Sequence, residues 1–362
     1  MPNGPALVDR IKKAWDDGDA VFPLDQRHPI LFKKELIDFV APTVVATASG
    51  DEFVDGRAVQ PGDAVVVATS GTTGSPKAVV LTRDAVEASA KATSERLNVT
   101  TDDCWLACLP PAHVGGLSVI MRSILMGTRL ISVPSFTVDA YEKASSQGAT
   151  LVSLVATALQ RVDPSLYRTI VLGGSKPPTN QPGNCITTYG LTETGSGIVY
   201  DGRALSGVEI EIRDSIIHLR GPMLLRGYRD GTSPLDNNGW LRTGDRGSIS
   251  PEGVLTVDGR EGDLIITGGE NVWPEQVEAA IQTLPGVADV CVAGVSDDEW
   301  GHAVHAWIVV QPGHDVTLDQ IRDHVKETLP AHCAPRQLHL LNEIPRTSLG
   351  KPQRNVLIAS QQ

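Results

Sequence analysis

The residue types best suited to chemistry lie between positions 68 and 77, where Ala-Thr-Ser-Gly-Thr-Thr-Gly-Ser-Pro-Lys crowds hydroxyls, glycines and a lysine between two apolar runs. Such a stretch suits the handling of phosphate. Gly71 and Gly74 let a backbone approach an anion closely, Thr69, Ser70, Thr72, Thr73 and Ser75 offer hydroxyl donors, and Lys77 offers a point charge. The flanks, AVVVAT over 64–69 and AVVLT over 78–82, are rich in β-branched residues and read as strands on either side of a turn. This is not a Walker A loop, which needs Gly-Lys-Ser/Thr opening a helix, because here Pro76 precedes Lys77 and a strand pattern follows it. Taken alone, the stretch equally fits a Gly/Ser/Thr hairpin with a solvated lysine.

Other candidates are spread along the chain. His113 follows a strand that ends in prolines (WLACLPPAHVGG, 105–116), and either borders a pocket or caps a helix or turn. In TTYGLTET (187–194), Tyr189 offers a stacking face, Thr192 a hydroxyl and Glu193 a hard oxygen suited to Mg²⁺, although a glutamate in a polar turn is usually just solvated. Asp245 follows a glycine turn in GWLRTGD and can accept from a sugar diol or close an Asx turn. Lys351 sits in PRTSLGKPQR with no packing role evident, and the alternative there is a solvated tail.

The elements that would position these residues follow from periodicity. Helices are expected over 6–16 and 30–40, then from an N-cap at Thr82 to near Leu97, with Val86, Ala90, Thr93 and Leu97 on one buried face. Apolar runs at 130–133, 151–155 and 169–172 alternate with helical segments at 139–147 and 156–162, which implies βαβ units and a largely parallel sheet. Ligands of such sheets sit beyond the carboxyl ends of the strands, where LGGS (172–175) and TTYGLTET fall. The alternation in VEIEIRDSIIHLR marks a hairpin turning near Asp214-Ser215 and opening a β-rich layer. Beyond Gly259–Asp263, a charged, glycine-bearing interruption, the pattern gives strands at 264–267, 289–295, 304–310 and 338–341, with helices from Pro274 and over 318–329.

Composition excludes several classes. With 362 residues and 41% hydrophobic residues, the chain can bury a sizeable core and reads as globular in two or more domains. A formal net charge of −12 argues against a general nucleic-acid or acidic-membrane binder. There is no signal-peptide h-region and no run of about 18 apolar residues, so the expectation is a cytoplasmic protein without a membrane span. The five cysteines lack zinc or disulfide spacing and read as buried thiols.

Five motifs in order, TSGTTGSPKAVVLT, YGLTET, GWLRTGD, GREGDLIITGGENVWPEQVEAAI and PRTSLGKPQR, resemble the core motifs of the adenylate-forming acyl-CoA synthetase superfamily across residues 69–354. Among its branches the chain looks most like the o-succinylbenzoate–CoA ligases of menaquinone biosynthesis. The resemblance implies an α/β fold: a large N-terminal domain (1–258) with mostly parallel sheets plus a β-rich layer, a hinge (259–263) and a small mobile C-terminal α+β domain (264–362). It implies ATP, Mg²⁺ and coenzyme A as cofactors or co-substrates and a small carboxylic acid as partner. Thr69, Ser70, Gly71, Thr72, Thr73, Gly74 and Lys77 would form the phosphate loop. Gly174 and Ser175 would border adenine and the acyl group, Tyr189 and Gly190 would meet adenine, Thr192 phosphate, and Glu193 Mg²⁺. Asp245 and Arg260 would bind ribose, Gly268, Gly269, Glu270 and Asn271 would line the coenzyme A tunnel, and the catalytic residues would be Lys351, as the adenylation lysine, and His113.

Some positions depart from the pattern. Gly262 stands at the pivot where relatives carry Asp or Lys, Ala78 replaces a glycine, and His302 stands where Glu or Gln is commoner. Only 68 residues precede Thr69, so the acyl pocket is expected to be remodelled or completed by a second subunit of a homodimer. Arg122, His113, Ser118 and Ser196 are the candidates for a second substrate carboxylate. The alternatives are a ligase for another aryl or medium-chain acid, a carrier-protein-loading enzyme, and a nucleotide-binding regulatory protein.

Overall fold

The computed structural model describes residues 3–47, 49–69, 77–174, 180–347 and 350–360. Two compact units result, one of Met1–Glu211 with His218–Thr243, the other of Ile212–Ile217 with Gly244–Gln362. That division lies upstream of residues 259–263. The strands Leu241–Ile249 and Leu255–Arg260 form one antiparallel pair, so the second unit keeps most of that hairpin rather than starting after it.

In the first unit, strands Cys104–Ala107, Arg129–Ser132, Leu151–Leu154, Thr169–Leu172 and Cys185–Tyr189 run parallel in one sheet. Val199–Tyr200 and Arg203–Ala204 extend its edge antiparallel, giving seven strands. The expected βαβ pattern is therefore present. Leu106, Val152, Leu154, Ile170 and Leu172 are buried together with Tyr141 and Tyr167, as parallel strands covered by helices require. Helix Arg83–Arg96 starts where the sequence suggested: the Thr82 hydroxyl accepts from the Ala85 amide, and Val86, Ala90, Thr93 and Leu97 are all buried.

Two features of this unit differ from expectation. Helix Val114–Met126 is not among those expected from periodicity; it begins directly after His113, for which capping a helix was one of the readings. Gly116 serves close packing, since a Cβ there would lie 2.4 Å from the Pro110 carbonyl oxygen and 2.5 Å from that of Leu109. The segment Ala156–Leu159 makes a single short helix, shorter than 156–162, because a second helical turn at Pro164–Leu166 is started separately by Asp163. The loop hairpin is formed as expected, Asp63–Thr69 pairing with Lys77–Thr82 so that Thr69 stands opposite Lys77, with Gly227–Tyr228 on the outer side.

Strands Glu209–Arg213 and Ile216–Arg220 flank the predicted turn, where Asp214 and Ser215 both have positive φ (50° and 63°), as a type I′ hairpin demands. In the second unit, Glu270–Val272, Ile265–Thr267, Gly301–Val310 and Val287–Asp297 form a sheet in that order, and Gln337–Leu340 joins Gly301–Val310 in parallel. Side chains alternate across it. Val290, Val292, Val304, Ala306 and Ile308 face helices Pro274–Gln282 and Leu318–Thr328 through Val277, Ile281, Ile321 and Val325. Cys291, Ala293 and Trp307 face the other way, against Ile344 and Leu357 of the terminal helix Arg354–Ala359. Among the described residues, no helix is long and apolar enough to cross a membrane.

Candidate active site

The candidates of the first unit gather at the carboxyl edge of the parallel strands. Gly174 (φ 87°) follows Thr169–Leu172, Tyr189 closes the neighbouring Cys185–Tyr189, and the Leu109–His113 segment leaves Cys104–Ala107. This is where an open α/β sheet binds ligands. Past Tyr189 the chain must fold back at once, because Val199 pairs with Tyr189. Gly190 makes that possible, as a Cβ there would lie 2.3 Å from the Ser196 carbonyl oxygen. A short 3₁₀ turn, Thr192–Thr194, follows; the Thr194 hydroxyl accepts from the Leu191 amide at 2.9 Å and donates to the Ser196 carbonyl at 2.6 Å.

That turn presents Glu193. The Tyr228 hydroxyl donates to Glu193 Oε1 at 3.0 Å, the Leu225 amide donates to the Glu193 carbonyl at 2.8 Å, and Lys77 Nζ lies 4.9 Å from the centroid of the Tyr228 ring. One tyrosine thus links the lysine of the loop hairpin with the carboxylate of the 3₁₀ turn. Burial, and then the Glu193 carboxylate, push the Tyr228 pKa up, so the phenol remains a donor. Nothing in the sequence reading singled out Tyr228. The signal was available in the Gly-Tyr that must pair with Val79–Val80, but a two-residue strand leaves no periodicity to read.

Arg122 is buried on helix Val114–Met126, with no ion pair among the described residues. Its Nη2 donates to Ser196 Oγ at 3.3 Å and its guanidinium stands 4.9 Å from the Trp105 ring centroid, while Nε and Nη1 have no partner among the described residues. Burial pulls its pKa down. Beside it is a cavity of about 10 Å³, room for a single water, lined by Ser89, Ser118, Arg122 and Gly195 among others. His113 is the N-cap residue of the same helix but makes no side-chain cap bond, and burial lowers its pKa.

In the second unit, Asp245 and Arg260 stand opposite each other on paired strands, with Nε 3.4 Å from Oδ1. Gly268 and Gly269 occupy the two φ-positive positions of a tight hairpin (58° and 85°), and a Cβ on Gly268 would lie 2.8 Å from the Trp300 ring. Glu270 and Asn271 are exposed beyond it. Lys351 also is exposed, but its segment is anchored: Thr347 N donates to the Lys351 carbonyl at 2.8 Å, Arg346 pairs with Asp289 at 2.7 Å, and Arg354 enters a cluster of three carboxylates. The solvated tail offered as an alternative does not describe it. Ser70, Gly71, Thr72, Thr73, Gly74 and Ser175 lie outside the described residues.

This fold and these motifs belong together in known proteins. Residues 19–228 match the family described as AMP-binding enzyme, and residues 276–351 match the AMP-binding enzyme C-terminal domain. The chain belongs to the AMP-binding enzyme family. It is 36% identical over 333 residues to a 2-succinylbenzoate–CoA ligase of Bacillus anthracis, a match covering 81% of this chain and 69% of that one. Among solved structures it resembles o-succinylbenzoate CoA synthetase (MenE) from Bacillus subtilis in complex with the acyl-adenylate intermediate OSB-AMP, with a TM-score of 0.74 and 30% identity, covering 96% of this chain and 80% of that one. It also resembles ATP-bound MatB from Rhodopseudomonas palustris, with a TM-score of 0.76 and 26% identity over 86% of this chain and 71% of that one.

Proposed function

We propose that this chain is an AMP-forming acid–thiol ligase that adenylates o-succinylbenzoate with ATP and passes the acyl group to coenzyme A, in menaquinone biosynthesis. The observation that carries the reaction class is the Lys77–Tyr228–Glu193 constellation at the carboxyl edge of the sheet of an AMP-binding enzyme. The substrate is supported by the identity with 2-succinylbenzoate–CoA ligases over 81% of the chain.

In the first step the substrate carboxylate attacks the α-phosphorus of ATP and pyrophosphate leaves; in the second the coenzyme A thiol attacks the acyl carbon and AMP leaves. Two anions must meet in the first step, so the protein's part is to place positive charge and donors around them. Lys77 serves the phosphates, and Lys351 supplies an ammonium to the reacting carboxylate and α-phosphate. Asp245 accepts from the ribose hydroxyls with Arg260 beside it, and Tyr189 stacks on adenine. Glu193 fits Mg²⁺ as a single carboxylate: Tyr228 takes Oε1, and Oε2 has no protein partner among the described residues. Those residues contain no group of three metal-ligating side chains, so a magnesium ion there would keep its other positions for phosphate and water. Bound there, the ion would offset charge on the phosphate oxygens.

Arg122 is our candidate for the second carboxylate, on the strength of Nε and Nη1, which have no partner among the described residues; the adjoining cavity is small, so Met121 and its neighbours must give way. Between the steps the C-terminal domain (264–362) turns about residues 259–263. Five cysteines without a disulfide suit the cytoplasm. The exposed apolar side chains of Ile30, Leu31 and Phe53 favour a homodimer, which light scattering of an active monomer would refute.

The test is an assay of purified protein with Mg-ATP, coenzyme A and o-succinylbenzoate or a panel of other acids, following AMP and thioester by mass spectrometry. Thioester from o-succinylbenzoate is expected, and Lys351→Ala is expected to lower adenylation on the order of 10²–10³-fold. Strong preference for another acid would overturn the substrate, and bound ATP without AMP release would overturn the enzyme.

A further inference from the structure

Lys351 lies in a turn that closes on itself: Gly350 N donates to the Thr347 carbonyl and Gln353 N to the Pro345 carbonyl, both at 2.8 Å. Two arginines then fasten that turn to the rest of the unit, one on each side of the lysine. In front, Arg346 Nη1 donates to the Gly350 carbonyl at 2.7 Å and Nη2 pairs with Asp289 on strand Val287–Asp297. Behind, Arg354 reaches further. Its Nε donates to the Val292 carbonyl at 2.9 Å, its Nη2 meets Glu278 at 2.8 Å and Glu275 at 3.3 Å on helix Pro274–Gln282, and its Nη1 meets Asp263 at 3.1 Å.

Asp263 ends the segment 259–263. The other end of the segment is touched by the same cluster, since a Cβ on Gly259 would lie 2.6 Å from Glu275 Oε2 and 3.3 Å from the Trp273 ring. Arg354 is largely buried, at 17% side-chain exposure, and gathers three carboxylates. Arg346 bonds only Gly350 and Asp289 among the described residues, and neither lies in 259–263.

We propose that Arg354 is a positioning residue that fastens the Lys351 turn to Asp263, the residue where the 259–263 segment ends, so that the end of the segment dictates where the lysine stands. The inference rests on the adenylation role given to Lys351 above. A guanidinium suits this because its planar fork holds several acceptors at once in fixed directions. A misplacement of about 1 Å in such a group is worth about 10²-fold in rate.

The experiment is a double-mutant cycle on the rate of acyl-adenylate formation, read by pyrophosphate release without coenzyme A. Arg354→Met and Asp263→Asn are each expected to lower kcat on the order of tenfold while KM for ATP stays within about threefold, and the double variant is expected to be no slower than the worse single one. Arg346→Met combined with Asp263→Asn is the control and is expected to multiply. Multiplying losses for Arg354 and Asp263, or an unchanged rate in either, would overturn the proposal. Amide hydrogen exchange across residues 350–353 gives a second reading on the same variants. Asp263→Asn is expected to quicken exchange there as Arg354→Met does, and unchanged exchange would overturn the coupling even if the wild-type chain made no adenylate, which would instead strike the ligase reading.

Discussion

The hydroxyl of Tyr228 stands 3.0 Å from Oε1 of Glu193 and donates to it. The bond fixes one oxygen of the carboxylate and so decides which way the other points. Tyr228→Phe removes the donor but keeps a ring under Lys77 Nζ, which isolates the hydrogen bond from the cation–π contact. A hydrogen bond to a charged group contributes about 1.5–3 kcal/mol, so kcat/KM for Mg-ATP is expected to fall roughly ten- to hundredfold. Steady-state kinetics across a magnesium titration checks it; an unchanged value would mean that Glu193 does not need to be held.

A second prediction concerns pH. Burial raises the Glu275 pKa from 4.5 to about 7, against the pull of Arg354; Arg354 gives its shorter contact to Glu278, and Glu275 Oε2 has no donor among the described residues. The ionisable groups facing it are Arg354, Glu278 and Asp263. The folded state then keeps a proton that the unfolded chain releases near 4.5, so this group's contribution is fully present below 4.5 and is lost as pH rises through about 7. The loss amounts to at most about 3 kcal/mol. Glu275→Gln removes the titration. The difference in melting temperature between variant and wild type is expected to move in the variant's favour between pH 4.5 and 7 and then level off, and a constant difference would refute the raised value.

Arg122 offers a test of substrate recognition. A buried guanidinium without a carboxylate is costly to keep, so Arg122→Met is expected to leave the melting temperature unchanged or higher. The same change is expected to raise KM for o-succinylbenzoate by about tenfold or more while KM for ATP is unaffected. Calorimetry and steady-state kinetics on one preparation separate the two effects. A lower melting temperature with an unchanged acid KM would make Arg122 a packing residue.

The parallel sheet, the loop hairpin and the C-terminal α+β unit were legible because each rests on local periodicity: β-branched runs at 64–69 and 78–82, and an apolar helix face from Val86 to Leu97. The Asp214-Ser215 turn was legible because alternation broke there and nowhere nearby. What escaped depends on partners distant in sequence. Tyr228 meets Glu193 across 35 positions and Arg354 meets Asp263 across 91, and neither pair has a spacing that chain geometry fixes. Helix Val114–Met126 was missed for a different reason, since Gly116 answers to a close approach by the Leu109 and Pro110 carbonyls rather than to a turn.

The second unit borrows Ile212–Ile217 from upstream of its main body. Within it the Gly247 amide donates to the Ser215 carbonyl at 3.0 Å, and Ile217 fills the space where a Gly247 side chain would be. A single genetic crossover near residue 244 would therefore hand a recipient protein a C-terminal body missing the hairpin tip at Ile212–Ile217. Exchange of this module between relatives needs two breakpoints, one on each side of the hairpin, and lineages that shuffle it at one breakpoint are expected to be selected for compensating changes at positions 217 and 247.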